Sequence, residues 1–351
     1  MSRSGFKNTF TSRTGLLVCA AAAIGAATAV WVEARARRAE REHPPAGRFI
    51  DVDGVHLHYV ERGEGPPVVL LHGNAVMLED FSASGLMDLL ARHHRVIAFD
   101  RPGFGNSSRP RDRLWTPAAQ ATLLATAMAR LGIGQAAVVG HSMGTAVALA
   151  LALDHPAQVG SLSLLGGYYY PTLRIDALVT APVALPVLGD TMRYTVTAMS
   201  GRALINALVK GMFTPRDVPS DFYSVVPRGM MLRPVQIRAN AEDAAFMMPA
   251  ARAHSKRYHE LRMPVTIVAG ADDKVVDPDA HSARLHRDLR HSELVIVPDT
   301  GHMVHYAVAE RIAEAIGTQS REALVAEQSG TGAHHRMQGF ESAKSSSNQQ
   351  P

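Results

Sequence analysis

Short apolar segments alternate with helical ones through the middle of the chain. Helical patterns such as Pro117–Leu131 and Thr145–Leu153 separate near-continuous apolar segments that are typical of buried strands. These segments lie at Val68–Leu71, Arg95–Phe99, Ala136–Val139, Ser161–Leu165, Val265–Ala269 and Leu294–Val297. Strands that alternate with helices in this way predict an α/β fold, with a mostly parallel sheet and helices on both faces.

Two features depart from this alternation. The segments Phe49–Val52 and Val55–Val60, divided by Asp53-Gly54, predict an opening hairpin. The stretch 167–262 is rich in Pro, Met, Leu and Tyr, and it predicts a mostly helical insertion. We therefore expect one sheet whose chain is interrupted by a helical unit.

The N-terminus predicts a membrane segment. Residues 15–32 carry no charge, and roughly 18 apolar residues is the lower limit for crossing a bilayer. We predict a single membrane anchor. The alternatives are a signal peptide cleaved near Ala27-Thr28-Ala29, which would leave an exported protein, and a soluble or disordered start. Lys and Arg are about equally frequent on the two flanks, so the side of the membrane stays open.

The domain boundaries follow from these patterns. Beyond Gly317 the apolar periodicity is lost and the composition predicts disorder. The predicted units are a basic segment 1–14, an anchor or signal segment 15–32, a linker 33–47, a first core part 48–166, a cap 167–262, a second core part 263–317 and a disordered tail 318–351.

Composition excludes several classes of protein. The chain has 46% hydrophobic residues, one cysteine (Cys19) and a net charge of +4, with no basic face that alternates with aromatic residues. A disulfide framework within the chain is impossible, and nucleic-acid binding is not expected. None of the 17 histidines falls in a metalloprotease or zinc-finger spacing, so we predict no metal.

One turn carries the strongest chemical signal. Gly140-His-Ser142-Met-Gly144 follows the strand Ala136–Val139 and opens a helix. A tight turn at this place exposes the Ser142 hydroxyl, and the helix N-terminus favours a developing oxyanion. Ser142 is the predicted nucleophile; the alternative is an ordinary strand–helix turn.

An acyl-transfer serine needs two N–H donors for the oxyanion. Met143, directly after the nucleophile, would supply one N–H group. The other would come from the loop His72-Gly73-Asn74, where Gly73 permits a sharp turn and Asn74 N–H is the candidate. We expect His72 to brace this loop.

The last two strands end in the remaining catalytic groups. Asp272, Asp273 and Asp277 follow Val265–Ala269, and we predict that Asp273 orients the catalytic histidine. Gly301-His302 follows the final strand. His302 is the predicted general base, with His305 as the alternative.

These motifs make the chain resemble an α/β-hydrolase over Phe49–Gly317. The motifs are His72-Gly73, Asp100-Arg-Pro-Gly103-Phe-Gly105, Gly140-His-Ser-Met-Gly144, Gly270-x-x-Asp273 and Gly301-His302. The resemblance implies eight strands, a cap inserted after the sixth strand and a Ser/Asp/His triad without a cofactor. Gly103 and Gly105 lack the third glycine of a dinucleotide site.

The details of the motifs narrow the chemistry. The loop at Asn74 is similar to that of haloalkane dehalogenases, but those enzymes and epoxide hydrolases use an aspartate where this chain has Ser142. The Ser142 motif is similar to esterases and monoacylglycerol lipases. Hydrolases that cleave C–C bonds in ring-fission products stay open, as does a non-catalytic binding protein of this fold.

We therefore predict a membrane-tethered serine hydrolase whose small-molecule substrate is an apolar ester. Tyr168 and Tyr169 follow the sixth strand and are predicted substrate contacts. Further apolar residues are expected on the inner face of the cap: Leu185, Val187, Leu188, Met192, Tyr194, Met199, Phe246, Met247 and Met248.

Overall fold

An eight-stranded sheet forms the centre of the computed structural model, which describes residues 5–173 and 175–319. Its strands are β1 (Arg48–Val52), β2 (Val55–Arg62), β3 (Pro67–Leu71), β4 (Arg95–Phe99), β5 (Ala136–His141), β6 (Val159–Leu165), β7 (Val265–Gly270) and β8 (Ser292–Val297). The spatial order is β1-β2-β4-β3-β5-β6-β7-β8.

Only the first two strands break the parallel arrangement. Strand β2 pairs antiparallel with β1 and with β4, and all other neighbours are parallel. Asp53 and Gly54 have φ angles of 48° and 80°, as a tight hairpin turn between twisted strands requires. The predicted hairpin and the mostly parallel eight-stranded sheet are confirmed.

Helices cover both faces of the sheet. The helices of the described residues are α1 (Gly5–Glu42), α2 (Glu79–Ala83), α3 (Leu86–Leu90), α4 (Pro117–Arg130), α5 (Met143–Asp154), α6 (Ile175–Ala184), α7 (Leu188–Arg193), α8 (Val196–Phe213), α9 (Phe222–Val225), α10 (Arg228–Met231), α11 (Pro234–His254), α12 (Arg284–Asp288) and α13 (309–319). Along β3, Val69 and Leu71 pack on the α4 and α5 side, whereas Val68 and Leu70 pack on the α3 and α13 side. This alternation places an apolar core on each face.

The cap connects β6 to β7 and consists of α6 to α11, so the predicted helical insertion after the sixth strand is confirmed. Met247 and Met248 lie next to buried Tyr168. However, Leu185, Val187, Leu188 and Met199 are exposed on the outside of the cap. Our expectation that these four line its inner face is wrong. For Met199 the reason is that α8 packs against the protein through Ala198, Ile205 and Val209 instead.

Helix α1 is longer than the predicted membrane segment. It continues to Glu42 through most of the predicted linker 33–47, where Arg37–Glu33 and Arg38–Glu42 pairs support it. Val32 and Ala39 are buried, and Ala39 belongs to an apolar cluster with cap residues. Within the described residues, Thr14–Glu42 is the helix long and apolar enough to cross a membrane.

The predicted disordered tail, 318–351, lies almost entirely outside the described residues. Thr318 and Gln319 are the last residues of α13, and Gln319 donates a hydrogen bond to Thr266 Oγ1 at 2.8 Å. The second core part therefore ends on a helix that packs against the sheet.

Candidate active site

Ser142 lies at the crossing between β5 and α5. Its φ and ψ angles of 51° and −119° are strained for a residue with a side chain, a conformation that costs about 1–3 kcal/mol. A Cβ atom on Gly144 would lie 2.0 Å from Leu71 O, so only glycine lets the helix cross β3 this closely. Thr145 N–H and Oγ1 both donate to Ser142 O, which fixes the turn.

Asp273 and His302 form a buried pair. His302 Nδ1 lies 2.8 Å from Asp273 Oδ2, and both side chains are almost completely enclosed. The other oxygen, Asp273 Oδ1, accepts hydrogen bonds from the N–H groups of Val275 and Val276 at 2.8 and 2.9 Å. Both oxygens of the Asp273 carboxylate therefore have hydrogen-bond partners. Because Asp273 binds Nδ1 of His302, the other ring nitrogen, Nε2, is left for a different partner. Asp272 and Asp277 are exposed.

The pair lies directly beside the Ser142 turn. The His302 main-chain oxygen is 3.2 Å from His141 Nε2, and Ser142 N–H donates to Leu165 O at 2.8 Å. A Cβ atom on Gly166, the next residue after Leu165, would lie 3.4 Å from His302 Nδ1. The structure therefore brings Ser142, Asp273 and His302 to the same edge of the sheet.

The loop after β3 lies against the serine. A Cβ atom on Gly73 would approach Ser142 Cβ to 3.0 Å. His72 Nδ1 lies 2.7 Å from Gly73 O, and His72 Nε2 accepts from Arg101 N–H at 3.0 Å. Burial, with a smaller contribution from the Arg101 charge, lowers the pKa of His72 to about 4, so this imidazole is neutral. Its contacts agree with the expected bracing role.

Arg101 holds this loop in place through hydrogen bonds, a role that the sequence analysis did not predict. A guanidinium group has five N–H donors. Those of Arg101 have five acceptors, all in the protein: His72 O, Gly73 O, Asn74 Oδ1, Gln120 Oε1 and Asp243 Oδ2. The Asn74 side chain is also 3.4 Å from Asn240 O, so the loop is tied to the cap.

The acidic partner of Arg101 comes from the cap. Asp243 on α11 contacts Arg101 at 2.5 Å and Arg109 at 3.0 Å, and all three side chains are fully buried. Gln120 Nε2 also donates to Asp243. Arg101 belongs to a motif visible in the sequence, but no local signal links it to a residue 142 positions away.

A second buried cluster lies behind the serine. His305 Nε2 and Tyr306 Oη contact the two oxygens of Asp80 at 2.9 and 2.8 Å, so His305, the alternative general base, has a structural partner instead. His141 Nδ1 is 3.9 Å from Asp80. Burial, with the neighbouring His305, holds the pKa of His141 well below its ordinary value. Among the described residues, Asp80, His141 and His305 have ligand atoms close enough together to hold a metal ion.

Both predicted substrate contacts are buried. Tyr168 donates its hydroxyl to Thr172 O at 2.5 Å, and its ring packs against His281 and Val276. The Tyr169 ring lies in the main core, where a Cβ atom on Gly167 would be 2.5 Å from it. This environment favours a packing role for Tyr169. Tyr168 stays a predicted substrate contact, because it is close to both the cap and the loop that carries Asp273.

Comparison with known proteins agrees with this geometry. The family profile described as alpha/beta hydrolase fold matches residues 66–307. The chain is 28% identical over 284 residues to the dihydrolipoyllysine-residue acetyltransferase component of an acetoin cleaving system from Pseudomonas putida (78% of this chain, 69% of that one). It is 27% identical over 280 residues to 2-hydroxymuconate semialdehyde hydrolase from Pseudomonas putida, covering 79% of this chain and 95% of the relative. In other matches the chain spans less than half of the relative's length.

Solved structures extend the comparison. A thermophilic esterase from Thermogutta terrifontis superposes with a TM-score of 0.64 at 25% identity, covering 78% of this chain and 97% of that one. A membrane phospholipase A, described as a bacterial virulence factor, superposes with a TM-score of 0.60 at 22% identity. This second match covers 90% of this chain and 99% of the other protein, so the likeness in fold extends beyond the part shared with the esterase.

Proposed function

Since this chain belongs to the α/β-hydrolase fold family and is a hydrolase, we propose that it cleaves carboxylic esters of apolar acyl or alkyl groups. The observation that carries the proposal is the strained Ser142 turn beside the buried Asp273–His302 pair. A strained conformation persists at a turn only where the surrounding structure enforces it, and such strain concentrates at functional sites.

The proposed reaction has two stages. His302 Nε2 takes the proton of Ser142 Oγ as the oxygen attacks the substrate carbonyl, and Asp273 stabilises the imidazolium that forms. The ester C–O bond then breaks, the alcohol leaves with the proton from His302, and an acyl-enzyme remains. Water, deprotonated by His302, attacks the acyl-enzyme and releases the carboxylic acid and Ser142.

We assign the oxyanion to the N–H groups of Met143 and Asn74. Met143 is the first residue of α5, so its N–H has no partner within the helix. Asn74 follows Gly73, which lies against Ser142, and Arg101 holds its side chain. These contacts support a loop whose geometry is fixed before substrate arrives, which is what electrostatic stabilisation of a transition state requires.

A fluorophosphonate probe tests this proposal. We expect covalent labelling of the wild-type chain and none of Ser142→Ala, together with a large loss of p-nitrophenyl ester hydrolysis in the variant. The variant can retain a rate roughly 10³–10⁴ above water from binding and the oxyanion hole. Wild-type turnover by Ser142→Ala would contradict the mechanism, and unlabelled wild type would favour a non-catalytic binding protein.

Hydrolysis of C–C bonds is the second candidate. Its support is the relative named 2-hydroxymuconate semialdehyde hydrolase, which aligns over 95% of its length. A substrate of that class carries an acidic group, which a free cation would stabilise. Arg101, the buried arginine on the oxyanion loop, has all five donors occupied by protein acceptors. We therefore favour ester hydrolysis over C–C bond hydrolysis. Faster cleavage of 2-hydroxymuconate semialdehyde than of any p-nitrophenyl ester would favour C–C bond hydrolysis instead.

We also propose that α1 anchors the protein in a membrane. Support comes from the uncharged 15–32 segment and the apolar helix that contains it. Export after cleavage of a signal peptide is the alternative.

A further inference from the structure

The outer surface of the cap is apolar in one region. Outside α1, the exposed large apolar side chains of the described residues lie almost all between positions 173 and 208, and Leu114 and Ile296 are the two elsewhere. Those in the cap are Leu173, Val179, Leu185, Val187, Leu188, Val196, Met199, Leu204 and Leu208. A cluster of exposed apolar side chains on the surface of a folded protein indicates contact with a partner or a membrane.

Helix α8 has apolar side chains at exposed positions as well as on its packed face. Ala198, Ile205 and Val209 face the protein, whereas Val196 and Met199 are exposed. Leu204 and Leu208, further along the helix, are exposed as well. Asn206 and Lys210 are exposed further along the helix, so the exposed apolar surface of α8 that lacks a charge lies at its start, at Val196 and Met199.

Helix α1 runs beside the exposed start of α8. Gly25, Thr28 and Ala29 are half-buried, although they belong to the uncharged segment, and Val32 on the same side is fully buried. An apolar groove has α1 residues 21–29 as one wall and residues 190–200 of the cap as the other. The cap therefore lies next to the part of α1 that would be inside a bilayer.

Trp31 marks the depth of this contact. It stands at the end of the uncharged segment, and the guanidinium groups of Arg35 and Arg202 lie 5.4 and 4.9 Å from its ring centre. Arg202 Nε is buried and has no hydrogen-bond partner among the described residues. Tryptophan and arginine at the end of a membrane helix are typical of the headgroup level. Residues 21–29 of α1 would then lie up to about 15 Å deeper, at 1.5 Å per residue.

We propose that the start of the cap is itself embedded in the bilayer. The embedded face consists of Leu185, Val187, Leu188, Val196 and Met199, the occupant of its groove is phospholipid, and Arg35 and Arg202 bind the lipid phosphate. This inference rests on the anchor in the proposed function, and it makes the substrate an ester dissolved in the bilayer. Helix α8 leads from this face to the active site, where Met212 O accepts the N–H of His302 at 2.9 Å.

Single-cysteine labelling tests the depth of the cap in the full-length chain. Cys19 is the one native cysteine and lies in α1, so it reports on the anchor. Val196→Cys and Leu114→Cys, each combined with Cys19→Ser, report on the cap and on a matched exposed apolar position outside it. Each protein is labelled with a bimane fluorophore and placed in phosphatidylcholine–phosphatidylglycerol vesicles that contain nitroxide-labelled acyl chains.

We expect strong quenching for labels at positions 19 and 196 and little at position 114. Quenching at 19 with position 196 behaving like 114 would overturn the embedded cap and leave the anchor intact. Absence of quenching at 19 would overturn both. A label at 196 that is shielded from lipid and from a water-soluble quencher would mean that a second copy covers this face.

A second experiment tests whether the substrate enters the active site from the bilayer. In a Val196→Asp/Met199→Asp variant we expect kcat/KM for a long-chain ester dissolved in vesicles to fall at least about tenfold, while hydrolysis of water-soluble p-nitrophenyl acetate stays within about twofold. Equal loss on both substrates, or on neither, would contradict entry from the bilayer. Inactivity of the wild type on both esters would instead reject the proposed ester chemistry.

Discussion

Asp272 and Asp273 are neighbours in the sequence, but their carboxylates have opposite environments. Asp273 is buried, binds His302 Nδ1 and accepts two backbone N–H groups, whereas Asp272 is exposed to solvent. Local sequence offered three candidate acids here, and backbone geometry singles out one of them for contact with His302. Neighbouring residues of the turn point their side chains in different directions, so Asp273 faces the protein interior and Asp272 faces solvent.

This difference predicts unequal effects of two isosteric substitutions. Asp273→Asn should lower kcat for p-nitrophenyl esters by around 10⁴, because an amide no longer holds the required tautomer of His302 or stabilises its imidazolium. Asp272→Asn is the matched control and should change kcat less than about twofold. Steady-state kinetics at pH 7.5 give both values, and the reverse ranking would identify Asp272 as the orienting acid.

At the scale of elements, α1 has two different halves. Residues 15–24 are apolar and exposed, whereas the second half of the helix packs on the cap through Val32, Ala36 and Ala39. A Cβ atom on Gly229 would lie 2.9 Å from Ala39 Cβ, so α1 packs closely on α10 here. Glu40 forms an ion pair with Arg233 at 2.9 Å. The second half of α1 is therefore part of the folded domain and not a free linker.

Two truncated chains should consequently differ in stability. A chain that starts at Trp31 keeps the packed half of α1, while one that starts at Pro45 removes Val32 and Ala39 and uncovers the cap cluster beneath them. Burial of one large aliphatic side chain is worth about 1.5–3 kcal/mol. We expect the thermal midpoint of the Pro45 chain to be several degrees lower by circular dichroism. Equal midpoints would mean that residues 31–44 contribute nothing to the fold.

For the whole molecule, buried histidines make stability depend on pH. Burial lowers the pKa of His72 and of His254 to about 4, and it holds the pKa of His141 well below its ordinary value. The unfolded chain, with ordinary histidine pKa values near 6.5, binds more protons than the folded chain between about pH 6.5 and 4. The histidine contribution to stability is complete above this window and is lost as the pH falls through it.

One buried acid acts in the opposite direction. Burial raises the pKa of Glu79 to about 8, so the folded chain binds the extra proton and stability from Glu79 falls as the pH rises from about 4.5 to 8. The dependence of wild-type stability on pH therefore contains the contributions of the histidines and of Glu79. A substitution at one histidine separates them.

His254→Gln isolates the effect of one histidine far from the proposed catalytic groups in sequence. Below pH 6.5 the variant should lose up to about 1.4 kcal/mol less stability per pH unit than the wild type. Urea unfolding of both proteins between pH 7.5 and 5 measures the two slopes. Identical slopes would show that His254 titrates normally in the folded chain.

Local sequence determined much of the fold and of the candidate site. The alternation of apolar strands with helices predicted the parallel sheet, because a strand buried on both faces has to be apolar throughout. The turn at Ser142 was equally visible as a glycine-flanked motif: Gly140 is required by contact with Gly144 and Thr145 a few residues on, although Gly144 is required by contact with Leu71 on a distant strand. The order of Ser142, Asp273 and His302 followed from their places at strand ends.

Contacts between distant segments were decided by the tertiary structure alone. Arg101 and Asp243 are 142 positions apart, and neither has a sequence neighbour that signals the pairing. Helix α8 has apolar residues at both buried and exposed positions, so its sequence does not tell which of them face the protein, and Met199 was expected inside but lies outside. The sequence specifies a side chain's chemistry, whereas its burial depends on which surface the rest of the chain brings against it.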